Sequence, residues 1–208
     1  MFRDELIDYY NRCITFGLPC IYENWEYKVE NGLVYLTNYF GKVDEDFKIL
    51  SGVDALSLDV LFDGCKRLKK LDLNEVSYLL KSENLQSFLL EEIIAPNLKV
   101  IGDESLLGCE SLKTFIGDKV EKVGINSFRD CSNLELVSLN EVLFLDNSSF
   151  MECSKLKNIS IPKVEYIGSF AFAGCDELID VSINDGTIIA DAAFRWCGKL
   201  NKNISILN

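Results

Sequence analysis

Eight cysteines are the residues in this 208-residue chain that could do chemistry, and six of them keep a strict spacing: Cys65, Cys109, Cys131, Cys153, Cys175 and Cys197. Zinc binding asks for pairs two to four residues apart, and the nearest pair, Cys13 and Cys20, lies too far apart for that pattern. Nucleophilic catalysis asks for a thiol of lowered pKa with an activating base. The chain contains no histidine, which removes the commonest base and the commonest zinc ligand together. Disulfides within the series are within reach if the spacing stacks them, but stacked side chains point the same way and a reducing compartment opposes oxidation. Used as small buried hydrophobes, the cysteines satisfy their spacing with no further assumption. The carboxylate run Asp44-Glu45-Asp46 reads as solvated charge on a loop, and no phosphate-binding glycine loop ending in Lys-Ser or Lys-Thr occurs. No catalytic residue, cofactor or metal is expected.

What positions those thiols is a repeat. The gaps between them are 44 and then four times 22, so one 22-residue unit recurs seven times, with Ser87 in the cysteine position of the second unit. Three residues later stands Leu68, Leu90, Leu112, Leu134, Leu156, Leu178 or Leu200. Further apolar columns run through Leu71, Ile93, Phe115, Val137, Ile159 and Val181, through Val76, Leu98, Val120, Val142 and Val164, and through Leu79, Ile101, Val123, Leu145, Ile167 and Ile189. The column after that last one prefers little bulk: Gly102, Gly124, Gly168 and Ala190. Three positions before the cysteine come Phe62, Leu106, Phe128, Phe150, Phe172 and Phe194. A period of 22 is too short for two helices and fits one short strand and a return segment. Alternation around Val137-Ser138-Leu139 and Ile159-Ser160-Ile161 places the strand, and Ser169–Gly174 suits a compact helical or 3₁₀ turn opposite. The fold expected is an α/β solenoid of seven turns with a parallel sheet along one side.

The unit Val164-x-x-Ile167-Gly168-x-x-Ala171-Phe172-x-x-Cys175-x-x-Leu178-x-x-Val181-x-Ile183 resembles the BspA-type, or treponemal, leucine-rich repeat. So does the opening Tyr27–Leu36 with Tyr39-Phe40-Gly41, over a resemblance spanning about residues 25–206. The second unit departs from the pattern, with Asn84 for the aromatic and Ser87 for the cysteine. The resemblance implies a surface adhesin or interaction module; many such proteins carry export signals.

Residues 1–50 read as an N-terminal cap and 51–208 as the solenoid. In the cap, Leu6, Ile7, Tyr10, Cys13 and Ile14 follow helical spacing, and Asn31-Gly32 between alternating strands reads as a hairpin turn. At the other end Asn203 falls in an apolar column, with Ile204 and Ile206 displaced by one. An uncapped parallel edge there can recruit a second copy, giving a homodimer through the C-terminal edge.

The net charge of −12 argues against direct binding to nucleic acid. Residues 1–64 alone hold 12 acids against 5 bases. No apolar run is long enough to span a membrane, and the acidic start is unlike a signal peptide, so the expected location is the cytoplasm. Two outward surfaces are binding candidates. One is the sheet column Asp72, Ile94, Ile116, Ser138, Ser160 and Ser182; the other is Tyr78, Val100, Lys122, Phe144, Tyr166 and Ile188, between two inward columns. The second is either a protein-binding stripe or a half-buried ladder of rings, with the stem of Lys122 lying along its neighbours. Functionally, the reading is a non-catalytic module that inhibits or tethers a protein partner. An acidic decoy for a nucleic-acid-binding protein and a surface adhesin without its leader are the alternatives.

Overall fold

The computed structural model describes residues 3–42, 45–61, 67–83, 85–200 and 205–207. Phe62, Cys65, Asp44, Asn84, Asn203 and Ile204 lie outside the described residues.

The repeat winds into a solenoid with a hydrogen-bonded ladder on two sides. Along one, the strands Lys70–Asp72, Glu92–Ile94, Thr114–Ile116 and Leu136–Ser138 run parallel, with Phe115 beside Val137. Asp46–Lys48 starts this sheet. Asn158–Ile161 and Asp180–Asn184 continue the same column with Ile159 beside Val181, but as a separate sheet. The parallel sheet through Val137, Ile159 and Val181 is therefore present, with a break in pairing after Ser138. A second ladder runs along another side, built from strands only two residues long such as Tyr78–Leu79, Val100–Ile101 and Phe144–Leu145. Strands that short carry no alternation to read in a sequence.

The remaining side differs from the expected 3₁₀ turn. Only Leu58–Leu61 and Leu85–Ser87 are 3₁₀ segments among the described residues. Later turns close through left-handed backbone instead, at Glu104, Asn126, Ser148, Phe170 and Ala192, and again at Gly108, Asp130, Glu152, Gly174 and Trp196. Both sets repeat every 22 residues, so the stacking geometry imposes the conformation even where no glycine is available to ease it. The second turn also shifts by one position. Leu85 and Phe88 point inward there, while Ser87 is exposed.

The core is a set of axial columns. Leu68, Leu90, Leu112, Leu134, Leu156 and Leu178 are all fully buried, as are Phe128, Phe150 and Phe172. The rings of Phe128, Phe150, Phe172 and Phe194 stack with centroids 4.7, 5.3 and 5.2 Å apart and planes within 7° of parallel. Ser105, Ser127 and Ser149 form a neighbouring buried column whose hydroxyls have no hydrogen-bond partner, and Ala171 and Ala193 take the same place in later turns. A buried unpaired hydroxyl costs stability. Ser127→Ala is therefore expected to stabilise the fold by about 0.5–2 kcal/mol in a urea titration; a loss of stability would show that the hydroxyl has a partner.

At the N-terminal end helix α1 (Arg3–Phe16) and the hairpin Trp25–Glu30/Leu33–Tyr39 close the first turn. Asn31 and Gly32 both have positive φ, as a two-residue hairpin turn requires. Tyr27 donates its hydroxyl to the Leu6 carbonyl at 3.1 Å, and Arg3 reaches Asp54 at 2.9 Å, tying the helix to sheet and first turn. Leu6 and Cys13 are buried, but Ile14 is exposed. Its expected place on the packed face is corrected: the core meets only a narrow stripe of α1. At the far end Ser205–Leu207 pairs with Asp180–Asn184 at a spacing of 23, which absorbs the one-residue displacement in the backbone.

Candidate protein-binding face

In the two-residue strands from Tyr78–Leu79 to Tyr166–Ile167 the second side chain points inward: Leu79, Ile101, Val123, Leu145 and Ile167 are buried, whereas Ile189, expected in the same column, is 40 % exposed in the last turn. Alternation then turns the first residue outward. The structure stacks all six sequence-identified residues in one unbroken register, Tyr78 beside Val100, then Lys122, Phe144, Tyr166 and Ile188. Tyr78, Phe144 and Ile188 are 40, 41 and 64 % exposed; Val100 and Tyr166 are half-buried. Backbone bonds pin each residue to the turn before it, as with Tyr166 N to Leu143 O at 3.2 Å and Ile188 N to Glu165 O at 2.9 Å. The side chains are thus presented on a rigid scaffold.

Two neighbours shape this face. The column beside it carries little bulk in most turns, with Gly102, Gly124, Gly168 and Ala190 in it and Asp146 between the glycines. A Cβ on Gly168 would come within 2.7 Å of the Asn147 amide nitrogen, so the turns approach too closely there for any side chain. The stripe therefore stands above a flat backbone shelf. Lys122 does not simply rest on the rings: its ammonium pairs with Asp146 at 3.0 Å, which neutralises the charge within the stripe.

Sequence reasoning missed how the stripe begins. Tyr35 of the hairpin pairs with Ala55, and Ala55 pairs with Tyr78, so the ring of Tyr35 continues the column. Ala55 and Tyr78 are 23 residues apart, and that slip hides the continuation from a search at 22. Around Tyr35 lies an open depression of about 420 Å³ lined by Lys28, Asp59, Val60 and Leu80, with the Lys28 ammonium 5.2 Å from the ring centre. Leu80 was findable, being an exposed leucine in the column that otherwise holds Gly102, Gly124, Asp146, Gly168 and Ala190. Trp196 was findable in the same way, since Gly108, Asp130, Glu152 and Gly174 occupy its column.

The rival outward column is more mixed. Ile94 is exposed, while Asp72, Ile116, Ser138 and Ser182 are half-buried. The depression at its start is lined by charges that already pair with neighbouring turns, Lys48 with Asp72 and Lys70 with Glu92, both at 3.3 Å.

The thiols sit apart from both surfaces. Cys131, Cys153 and Cys175 are fully buried and unbonded to one another, and each donates to the carbonyl 25 residues earlier at 3.2 Å. Burial pushes the Cys109 thiol up to about 12 and holds Cys131 and Cys153 well above the ordinary range. They are poor nucleophiles. Cys197, expected to be buried with the rest, is half-exposed because it belongs to the last turn. In Cys153→Ser the shorter hydroxyl retains the Phe128 carbonyl as a partner but carries a more polar group into the core. Its expected cost is about 1–2 kcal/mol by thermal unfolding, and native Cys153 should resist a thiol reagent until the chain unfolds. Among the described residues no group of three cysteine, aspartate or glutamate side chains is placed to hold a metal. Nor is any helix long and apolar enough to cross a membrane.

Set beside known proteins, the chain matches the profile of the BspA type leucine rich repeat region over residues 45–142 and 78–201, in six copies. No curated protein sequence matches it significantly. Among solved structures it is similar to a leucine rich cell surface protein of Faecalibacterium prausnitzii, with a TM-score of 0.59 and 18% identity over 87% of this chain. A leucine rich repeat protein of T. pallidum is similar over 85% of the chain, with a TM-score of 0.51 and 18% identity. The chain spans 52% of the first protein and 66% of the second.

Proposed function

This chain belongs to the BspA-type leucine-rich repeat family, and from that premise we propose that it is a non-catalytic protein-binding module whose contact face is the column from Tyr78 to Ile188. The observation that carries the reading is the register of exposed Tyr78, Phe144 and Ile188 with Tyr166 on a pinned ladder. Aromatic side chains already held in place lose little entropy on binding, which is why they dominate protein interfaces.

The acidic decoy is less well supported. Carboxylates along the repeats are matched by lysines one turn away: Glu121 with Lys99, Glu91 with Lys113, Glu141 with Lys163 and Glu177 with Lys199, each at 2.6 Å. Such pairs steady the stack weakly and offset part of the negative field along the repeats that a basic groove would recognise. Display on a surface, as in the F. prausnitzii protein, and residence in the cytoplasm both leave the stripe free to bind.

Salt separates the readings. A partner captured on the immobilised full chain should hold its affinity within about threefold between roughly 50 and 500 mM salt if the stripe is the contact. A fall of more than about a hundredfold would move the contact to the acidic surface and reject the stripe.

A further inference from the structure

Two cysteines stand outside the repeat, and the packing of the columns does not account for them. Helix α1 ends in a Schellman turn: Gly17, at a φ of 64°, donates to Ile14, and Leu18 donates to the carbonyl of Cys13 at 2.9 Å. That turn folds the chain back along the last helical turn. Two residues further on, Cys20 lies against the helix, its sulfur 3.9 Å from the carbonyl of Tyr10. Tyr27 N bonds the Cys20 carbonyl at 3.1 Å, so this residue is held by the hairpin as well. Cys13 and Cys20 are 4 and 7 % exposed and belong to the same apolar cluster. Burial and, after it, the neighbouring Cys13 thiol push the Cys20 thiol up to about 11.

The repeat thiols are arranged differently. Each is held by a carbonyl of the preceding turn and they descend one side of the stack as parallel side chains. Cys13 belongs to the helix and Cys20 to the returning chain packed against it, so they are not parallel members of one stack.

We propose that Cys13 and Cys20 are a disulfide-forming pair that staples helix α1 to the hairpin when the chain meets a low-molecular-weight disulfide. One cysteine thiolate attacks the sulfur–sulfur bond of glutathione disulfide, expels one glutathione thiolate and becomes a mixed disulfide. The second thiolate attacks the protein sulfur of that adduct, forms the Cys13–Cys20 bond and expels the second glutathione. The protein gives up two electrons and two protons, and the oxidant leaves as two thiols. Because both sulfurs are buried and Cys20 is a weak acid, the exchange is slow at neutral pH and accelerates as pH rises. The bond closes in an oxidising compartment and stays open in a reducing one.

The full reduced chain is incubated with glutathione disulfide near pH 8, blocked with an alkylating reagent, unfolded, alkylated again with a heavier reagent and mapped by mass spectrometry. The expected result is one linked peptide joining Cys13 to Cys20, lighter by two hydrogens, with Cys109, Cys131, Cys153 and Cys175 carrying only the second reagent. The oxidised chain should melt roughly 3–8 °C above the reduced one, and Cys20→Ser should abolish the rise. Free thiols at both positions, glutathione on either without the cross-link, or an unchanged melting temperature in the cross-linked chain would overturn the proposal. Wild-type mapping decides the matter even if the variant folds poorly.

Discussion

Phe150→Ala should destabilise the solenoid by about 3–5 kcal/mol, a large effect for a truncation to alanine. Phe150 is fully buried and stacked between Phe128 and Phe172, with centroids 4.7 and 5.3 Å away. Alanine removes both ring contacts at once. The cavity it leaves cannot collapse, because the backbone on either side is fixed: Phe150 N bonds Ala171 O at 2.7 Å, and Phe128 N bonds Ser149 O at 2.8 Å. In a solenoid each turn is held only by its neighbours, so a void in the middle weakens two interfaces and no distant contact compensates. For a chain of this size the loss corresponds to a fall in Tm of roughly 8–15 °C. Phe150→Leu supplies the control, since Leu106 already fills the same column and is fully buried. Leucine should recover more than half of the loss. A cost below about 1 kcal/mol for alanine would show that the ring column is not a principal support.

The columns that specify the fold could be read from residue type because their chemistry is one-sided: a leucine three residues beyond each cysteine has no reason to recur unless it is buried. The ladder through Val137, Ile159 and Val181 was legible for the same reason. The second ladder was not, although its residues from Tyr78 to Ile189 had been noticed, because a pair such as Tyr78–Leu79 is too short to show alternation. Left-handed backbone at Glu104, Phe170 or Glu152 was hidden by residue types that do not advertise it, unlike Gly108, Gly174 and Asn126. The start of the binding face at Tyr35 was lost to a one-residue slip between Ala55 and Tyr78. Slips of this kind are invisible to a fixed period; they occur near the two ends of the stack and in the second turn. What the residues did carry into the site was the outward column itself. Its aromatic content departs from what a solvated face needs, and that departure survived translation into three dimensions.

Replacing both Phe144 and Tyr166 by serine should weaken partner binding by about 2 kcal/mol or more, roughly thirtyfold in Kd, while leaving the fold in place. The two residues are paired directly across adjacent turns, so removing both clears the centre of the stripe and not two scattered points. Phe144 is 41 % exposed and Tyr166 half-buried. The inward residues that follow them, Leu145 and Ile167, are fully buried and remain untouched. The bonds from Phe144 N to Glu121 O and from Tyr166 N to Leu143 O are made by main-chain atoms and do not depend on the rings. A modest drop in stability is expected from lost packing along the ladder, about 1–2 kcal/mol, small beside the cost of emptying a core position. Circular dichroism and thermal melting measure the fold, and a binding isotherm with the captured partner measures the site. A substitution in the opposite ladder, Ser160→Lys, places a charge on an exposed outward position and should leave affinity within about twofold. If the double variant instead melts well below the wild type while its folded fraction binds normally, the rings are structural. The contact then lies elsewhere, and the acidic N-terminal third becomes the surface to test. Retained fold with lost affinity has only one reading, because nothing else in the stripe has been changed: the column from Tyr78 to Ile188 is the face that meets the partner.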